Sequence, residues 1–261
     1  YDLCGTLLLG GATTAFLVAV NRGPVMGWGH PLVMAGFSLA PVLAWGFVTW
    51  ERRTPHPLLP VRYLGRRNFS APILAASLCA FAYQGVLVLT PVLLHEELGF
   101  SISRVSVLVA WRPLFYALAG PVAGFLAVRL GERSVMSAGA GLVAVSTAGF
   151  VLIRPGVGEG VIFAVLGLTG FGLGLLEPPV AATVSSAVDP GDYGVAGATQ
   201  QMARQILTVA GIGVLGAVHE ARRSAVGGLA SYRAAFLVGT AVAALAAVIA
   251  TVARSLPRSG D

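Results

Sequence analysis

Gly160-Val-Ile-Phe-Ala-Val-Leu-Gly-Leu-Thr-Gly170-Phe-Gly-Leu-Gly-Leu-Leu-Glu177-Pro-Pro-Val180-Ala-Ala-Thr-Val-Ser-Ser186 contains a single charged side chain, Glu177. About 20 consecutive apolar residues cross a hydrocarbon core of ~30 Å, so this stretch reads as a membrane span. Seven further apolar windows flank it, at 3–20, 31–50, 69–94, 104–128, 134–153, 196–218 and 234–253. Their length and spacing predict an all-α membrane protein, a polytopic bundle of about eight transmembrane helices. Pro41, Pro72, Pro91, Pro113, Pro121, Pro178 and Pro179 fall in or near the windows. Membrane helices tolerate them, because neighbouring helices re-satisfy the carbonyls that proline frees.

Composition points the same way. Of 261 residues, 56% are hydrophobic and 11% charged, against roughly 25% charged in an ordinary soluble domain. Mean hydropathy is +0.81. Such a chain has too few polar side chains to cover a water-soluble surface, and too much apolar surface to stay disordered. The net charge of +6, carried entirely by arginine among the basic residues, suits loops lying beside anionic lipid and not a nucleic-acid surface. Cys4 and Cys79 both lie in apolar windows and read as small buried hydrophobes. The chain opens at Tyr1 without the basic leader of a signal peptide, and reads as the continuation of a longer protein.

Arginine placement orients the spans. The Glu51–Asn68 loop carries Arg52, Arg53, Arg62, Arg66 and Arg67, which the positive-inside rule assigns to the cytoplasm. Alternation then puts Arg129, Arg133, Arg254 and Arg258 on that side as well. Arg22, Arg104, Arg154, Arg222, Arg223 and Arg233 fall on the other. Both termini are expected inside, in a multi-pass protein of the cytoplasmic membrane.

Enzyme signatures are missing from the sequence. His95-Glu96-Glu97 and His219-Glu220 are read as loop residues without H-E-x-x-H spacing. No G-x-S-x-G, P-loop or Cys/His metal cluster occurs, so no metal or cofactor is expected. Gly167, Gly170, Gly172 and Gly174 mimic a dinucleotide fingerprint in spacing, but no strand precedes them. Together with Gly120-Pro-Val-Ala-Gly124 they read as small-residue faces for close helix packing.

Several connectors carry a resemblance. Gly124-Phe-Leu-Ala-Val-Arg129-Leu-Gly131-Glu-Arg133 is similar to the cytoplasmic loop signature G-x-L-A-D-R-x-G-R-R of the major facilitator superfamily. Upstream of it, in order, stand Trp28-Gly-His-Pro31, Glu51-Arg-Arg53, Pro57-Leu-Leu-Pro60 and Arg67-Asn-Phe69, the connectors expected around two extra central helices. Gly170-Phe-Gly-Leu-Gly174 with Pro178-Pro179, Gly197-Ala-Thr199 and Arg204-Gln205 come later. Their order resembles the C-terminal part of the fourteen-span drug:proton antiporter subfamily. The resemblance implies two central linker helices (1–50), an Arg-rich cytoplasmic loop (51–68), a six-helix C-terminal transporter half (69–253) and a tail (254–261). It implies proton-coupled export of drug-like or secondary-metabolite small molecules. It also implies a partner in the N-terminal half, whose six helices precede the region matching Tyr1. The other reading is a non-transporting membrane partner, or a truncated half that assembles with another half-transporter. One departure concerns the loop signature, where Val128 occupies the acidic position. The gating loop would then rest on Gly124, Arg129, Gly131 and Arg133.

Three charged residues fall inside spans, where burial in lipid costs at least ~2.5 kcal/mol each: Arg112, Glu177 and Arg204. Glu177 and Arg204 lie at similar depths from the cytoplasmic side and can pair. Glu177 reads either as a proton- or cation-binding carboxylate in a hydrated cavity, or as half of a permanent structural ion pair. Arg204, with Gln200, Gln201 and Gln205, gives the seventh span a polar start, for transport or for interhelical hydrogen bonding. Arg112 enters from the opposite face, too far for a bridge to either, and is near enough to the outer interface to snorkel. Tyr83 and Gln84 sit midway along the third span, which by the resemblance lines the central cavity. A ring beside an amide suits an amphipathic organic substrate.

Overall fold

A computed structural model describes residues 2–54 and 61–253. Pro57–Pro60, Arg254, Arg258 and the expected tail lie outside the described residues. Eight α-helices make up the described chain: α1 (Leu3–Met26), α2 (Pro31–Glu51), α3 (Arg67–Glu96), α4 (Ile102–Leu130), α5 (Glu132–Phe150), α6 (Glu159–Ser186), α7 (Tyr193–Val226) and α8 (Gly228–Ala250). Single 3-10 turns at Val61–Tyr63 and Pro190–Asp192 precede α3 and α7. All seven prolines named above lie inside helices.

Helix ends follow local chemistry. The Asp2 carboxylate accepts from Gly5 N at 2.9 Å and caps α1. It also accepts from Trp50 Nε1 at 3.0 Å, tying the two ends of the α1–α2 hairpin. Ser101 caps α4, accepting from Arg104 N at 3.4 Å. Gly131, at φ +83°, ends α4 and starts α5 in one residue, a backbone geometry that favours glycine.

Several helices outrun the apolar windows. Helix α1 continues through Asn21–Met26, and α7 runs to Val226 rather than stopping near 218. Hydropathy marks only the lipid-facing length, whereas backbone hydrogen bonding carries polar turns beyond it. Consequently His95, Glu96, His219 and Glu220 belong to the last turns of α3 and α7, not to loops.

Seven of the eight helices are long and apolar enough to cross a membrane. Helix α5 falls short because it opens on Glu132-Arg133 and carries Ser134, Ser137, Ser146 and Thr147. It is nonetheless packed between α6 and α8, and Ser146 and Thr147 return their hydroxyls to the Val143 carbonyl. Cys79 is buried as expected. Cys4 is exposed on α1, which corrects its reading as buried.

The six helices α3–α8 form one bundle. Helix α4 packs along α6, α6 along α5, α5 along α8, and α8 along α3, which also carries α7. Helices α1 and α2 pair with each other, and α1 meets the bundle through α7. One apolar cluster, including Met136, Leu173, Leu176 and Ala243, fills the end that bears the Arg-rich loop. A second, including Leu93, Phe150, Leu166 and Phe236, fills the opposite end. In lipid such packing rests on van der Waals fit and close backbone approach more than on water exclusion.

Candidate functional site

Gly170, Gly174 and Glu177 recur at helical spacing and fall on one face of α6. A Cβ at Gly170 would collide with the Arg112 carbonyl oxygen, and one at Gly174 with that of Tyr116. The glycine stripe therefore lets the α4 backbone lie directly on α6, as the packing reading of the α6 glycines expects. Gly120 and Gly124, read as a second packing face, do not follow it, since a Cβ at either would meet nothing within 4 Å among the described residues. This close approach brings Tyr116 beside the carboxylate one turn further along α6.

There the Tyr116 hydroxyl donates to Glu177 Oε2 at 3.1 Å, and Arg204 Nη1 of α7 pairs with Glu177 Oε1. The expected Glu177–Arg204 pair is thus formed, with Tyr116 as a third member that sequence reasoning missed. Counting about 1.5 Å per residue, Glu177 lies roughly 14 Å and Arg204 roughly 16 Å from the helix ends at the Arg-rich face. The pair is not sealed. The Glu177 side chain is 21% exposed and that of Arg204 29%. Glu177 lines a cavity of about 340 Å³ whose walls also include Tyr116, Gly120, Pro178 and Gln200. Small residues at Ala117, Gly120, Gly174 and Ala181 leave this room beside the carboxylate. The arrangement offers one carboxylate, one guanidinium and two neutral polar groups, Tyr116 and Gln200.

Tyr83 and Gln84 do share a cavity, a groove of about 460 Å³ between α3 and α4 whose walls include Leu87, Ser106, Val109 and Pro113. Arg112 does not snorkel. It is fully buried, because its side chain turns inward toward α3: Nη2 donates to the Tyr83 carbonyl at 2.5 Å and the guanidinium lies 3.7 Å from the centroid of the Tyr83 ring. Depth along a helix did not decide its environment; the face it occupies did. No bridge joins it to Glu177, in keeping with the depth arithmetic.

Of the residues read as a gating loop only Gly131 lies between helices; Gly124 and Arg129 belong to α4 and Arg133 to α5, because the α4–α5 connection is a single residue. Arg129 stacks on Phe125 of its own helix, 4.2 Å from the ring centroid, and Val128 is 85% exposed. At the same end, the chain entering α3 is stapled to the α6–α7 connection. Tyr63 donates to Asp189 at 2.7 Å and to Asp192 at 2.8 Å, Arg62 pairs with both, and Arg66 Nη1 donates to the Ala187 carbonyl at 2.7 Å. Burial pushes the Tyr63 phenol above its ordinary pKa, so it remains a donor. Among the described residues no group of three or more His, Cys, Asp or Glu side chains is placed to hold a metal ion.

Comparison with known proteins identifies the family. The family model described as the Major Facilitator Superfamily matches residues 4–212 and, overlapping, 72–261. The chain belongs to the major facilitator superfamily. The chain is a member of a transporter family and not of an enzyme family. It is 28% identical over 227 residues to the Multidrug resistance protein Stp of Mycobacterium tuberculosis, covering 86% of the chain and 42% of that relative. It is 29% identical to the Tetracenomycin C resistance and export protein of Streptomyces glaucescens, covering 85% of the chain and 41% of that relative. With the Methylenomycin A resistance protein of Streptomyces coelicolor it shares 24% identity, over 82% of the chain and 45% of the relative. The chain thus spans about two-fifths of the length of the curated relatives it matches.

Proposed function

We propose that this chain is the C-terminal part of a proton-coupled exporter of drug-like or secondary-metabolite molecules in the cytoplasmic membrane. In this reading α1 and α2 are two central linker helices and α3–α8 form one transporter half. A further six helices supply the other half, since alternating access requires two units rocking about a shared site. The names of the resistance and export relatives support the substrate class. The observation that carries the coupling reading is the Glu177–Arg204 pair at depth beside an open cavity. Protonation of Glu177 would release Arg204 and neutralise the carboxylate, and Tyr116 would hold its oxygen through the change. A carboxylate whose pairing depends on its proton gives the transporter two states to alternate between. The groove at Tyr83 and Gln84 would receive the aromatic body of the substrate.

The test is Glu177→Gln in the complete transporter, which keeps the shape and removes the titratable charge. Efflux driven by a pH gradient should be lost while substrate binding partly remains. Unchanged proton-driven efflux would reduce Glu177 to a structural partner of Arg204 and place the coupling group elsewhere.

A further inference from the structure

Arg112 is buried without a counter-ion. Its contacts among the described residues are the Tyr83 carbonyl, on Nη2, and the Tyr83 ring face, while Nε and Nη1 have no hydrogen-bond acceptor. Glu177, the carboxylate nearest in kind on the adjoining helix, is taken by Arg204 and Tyr116. A guanidinium carries five donors in a fork that matches a carboxylate in two places. Tyr83 uses one of them and shields the cation with its ring. The same Tyr83 forms part of the wall of the α3–α4 groove, where Gln84 and Ser106 add polar groups among Leu87, Val109 and Pro113. One residue therefore both contributes to the groove wall and covers the unpaired cation.

We propose that Arg112 and Tyr83 form a recognition site for an anionic oxygen group, a carboxylate or phenolate borne on an aromatic body. The body occupies the groove against Leu87, Val109 and Pro113. Displacement of the Tyr83 ring lets the anion reach Nε and Nη1, and Gln84 and Ser106 hold the remaining polar edge. This rests on the transport reading only in making that anion a cargo; the site itself requires binding alone. The shared chemistry is a carboxylate, whose source is either a ligand or an acidic side chain from elsewhere in the full-length protein.

Equilibrium binding to the purified full-length protein at neutral pH separates these cases, with 2-naphthoate and the neutral isostere 2-naphthamide as probes. Naphthoate should bind at least about tenfold more tightly than naphthamide. Arg112→Gln should abolish that preference, and Arg112→Lys should retain part of it. Should Arg112→Gln fail to fold, Tyr83→Leu uncovers the cation and should widen the ratio of naphthoate to naphthamide affinity, whatever it does to the affinity for the shared ring; an unchanged or smaller ratio would overturn the proposal. Equal affinity of the wild-type protein for the two probes would overturn the proposal. So would equal affinity together with a stability loss in Arg112→Gln, which would assign the counter-charge to the protein itself. Naphthoate preference in a protein that performs no export would sustain the site and remove only the export reading. Proton-driven export without the preference would do the reverse.

Discussion

Glu177 and Arg204 meet across α6 and α7 although those helices touch little elsewhere along their length. The contact between them is therefore polar at a depth where the surroundings are apolar, and it is shared with Tyr116 from α4. Three helices converge on one carboxylate. Such a junction couples their positions: a change in the charge of Glu177 acts on α4, α6 and α7 together.

Truncating one member should leave the other uncompensated. For a fully buried pair this costs about 3–5 kcal/mol; partial exposure here should reduce it to roughly 1–3 kcal/mol. Glu177→Ala and Arg204→Ala should each lower the thermal midpoint of the detergent-solubilised protein. The double variant should lose less than the sum of the two single losses, since a favourable contact is lost in each single variant and is lost only once in the double. Strict additivity would show that the pair carries no interaction energy.

The glycine stripe makes a separate demand. At Gly174 a larger side chain meets the Tyr116 carbonyl and the Ala119 Cβ, atoms that cannot move without shifting α4. Gly174→Val should destabilise by about 1–3 kcal/mol and weaken the Tyr116–Glu177 hydrogen bond by separating the helices. Gly120→Ala, where a Cβ meets nothing within 4 Å, is the matched control and should be near neutral. Equal melting temperatures for the two variants would refute close packing of α4 on α6.

Much of this was legible in the residues, and the limits have physical causes. Apolar length fixed eight helices, and arithmetic along two of them brought Glu177 and Arg204 to matching depth. Tyr116 was not legible, because its role depends on which face of α4 meets the α6 glycines, and that is a tertiary fact. Arg112 was misjudged for the same reason: depth put it near an interface, whereas its face turned it toward Tyr83. The final turns of α7 were hidden by the polar run His219-Glu220-Ala-Arg-Arg223, which hydropathy reads as loop. Tyr63, Asp189 and Asp192 lie far apart in the chain, and no local pattern announces their contact.

That contact supports a contrast between two single variants. Arg62 is 64% exposed on its side chain, so its ion pairs should be worth under about 1 kcal/mol. Tyr63 is fully buried and donates to both aspartates, so Tyr63→Phe should cost about 1–2 kcal/mol. Limited proteolysis of the segment between α2 and α3 should accelerate in Tyr63→Phe and change little in Arg62→Ala. The reverse order would mean that the charges, not the phenol, hold the two connections together.

Orientation can be read with a thiol reagent. Leu64 is 48% exposed beside the Arg-rich turn, and a cysteine there should resist an impermeant maleimide added to intact cells and react after permeabilisation. The native cysteines must first become serine, because Cys4 is itself exposed. Labelling of Leu64→Cys from outside would invert the topology.

The α4–α5 junction has its own test. Val128 stands at the signature's acidic position and is open to its surroundings. In the complete transporter, Val128→Asp should strengthen the closed contact with neighbouring helix ends and slow transport several-fold, while Arg129→Ala should change the rate in the opposite direction. No change in either well-inserted variant would remove this loop from the gating cycle.

The central claim is that Glu177 exchanges a proton as the transporter works. Proton release or uptake on substrate addition can be measured directly, with the purified complete transporter in weakly buffered detergent and a pH-indicator dye. The wild-type protein should exchange close to one more proton per bound substrate than Glu177→Gln, at comparable substrate occupancy. An identical proton count in the two proteins would contradict the account and leave Glu177 as a structural partner of Arg204.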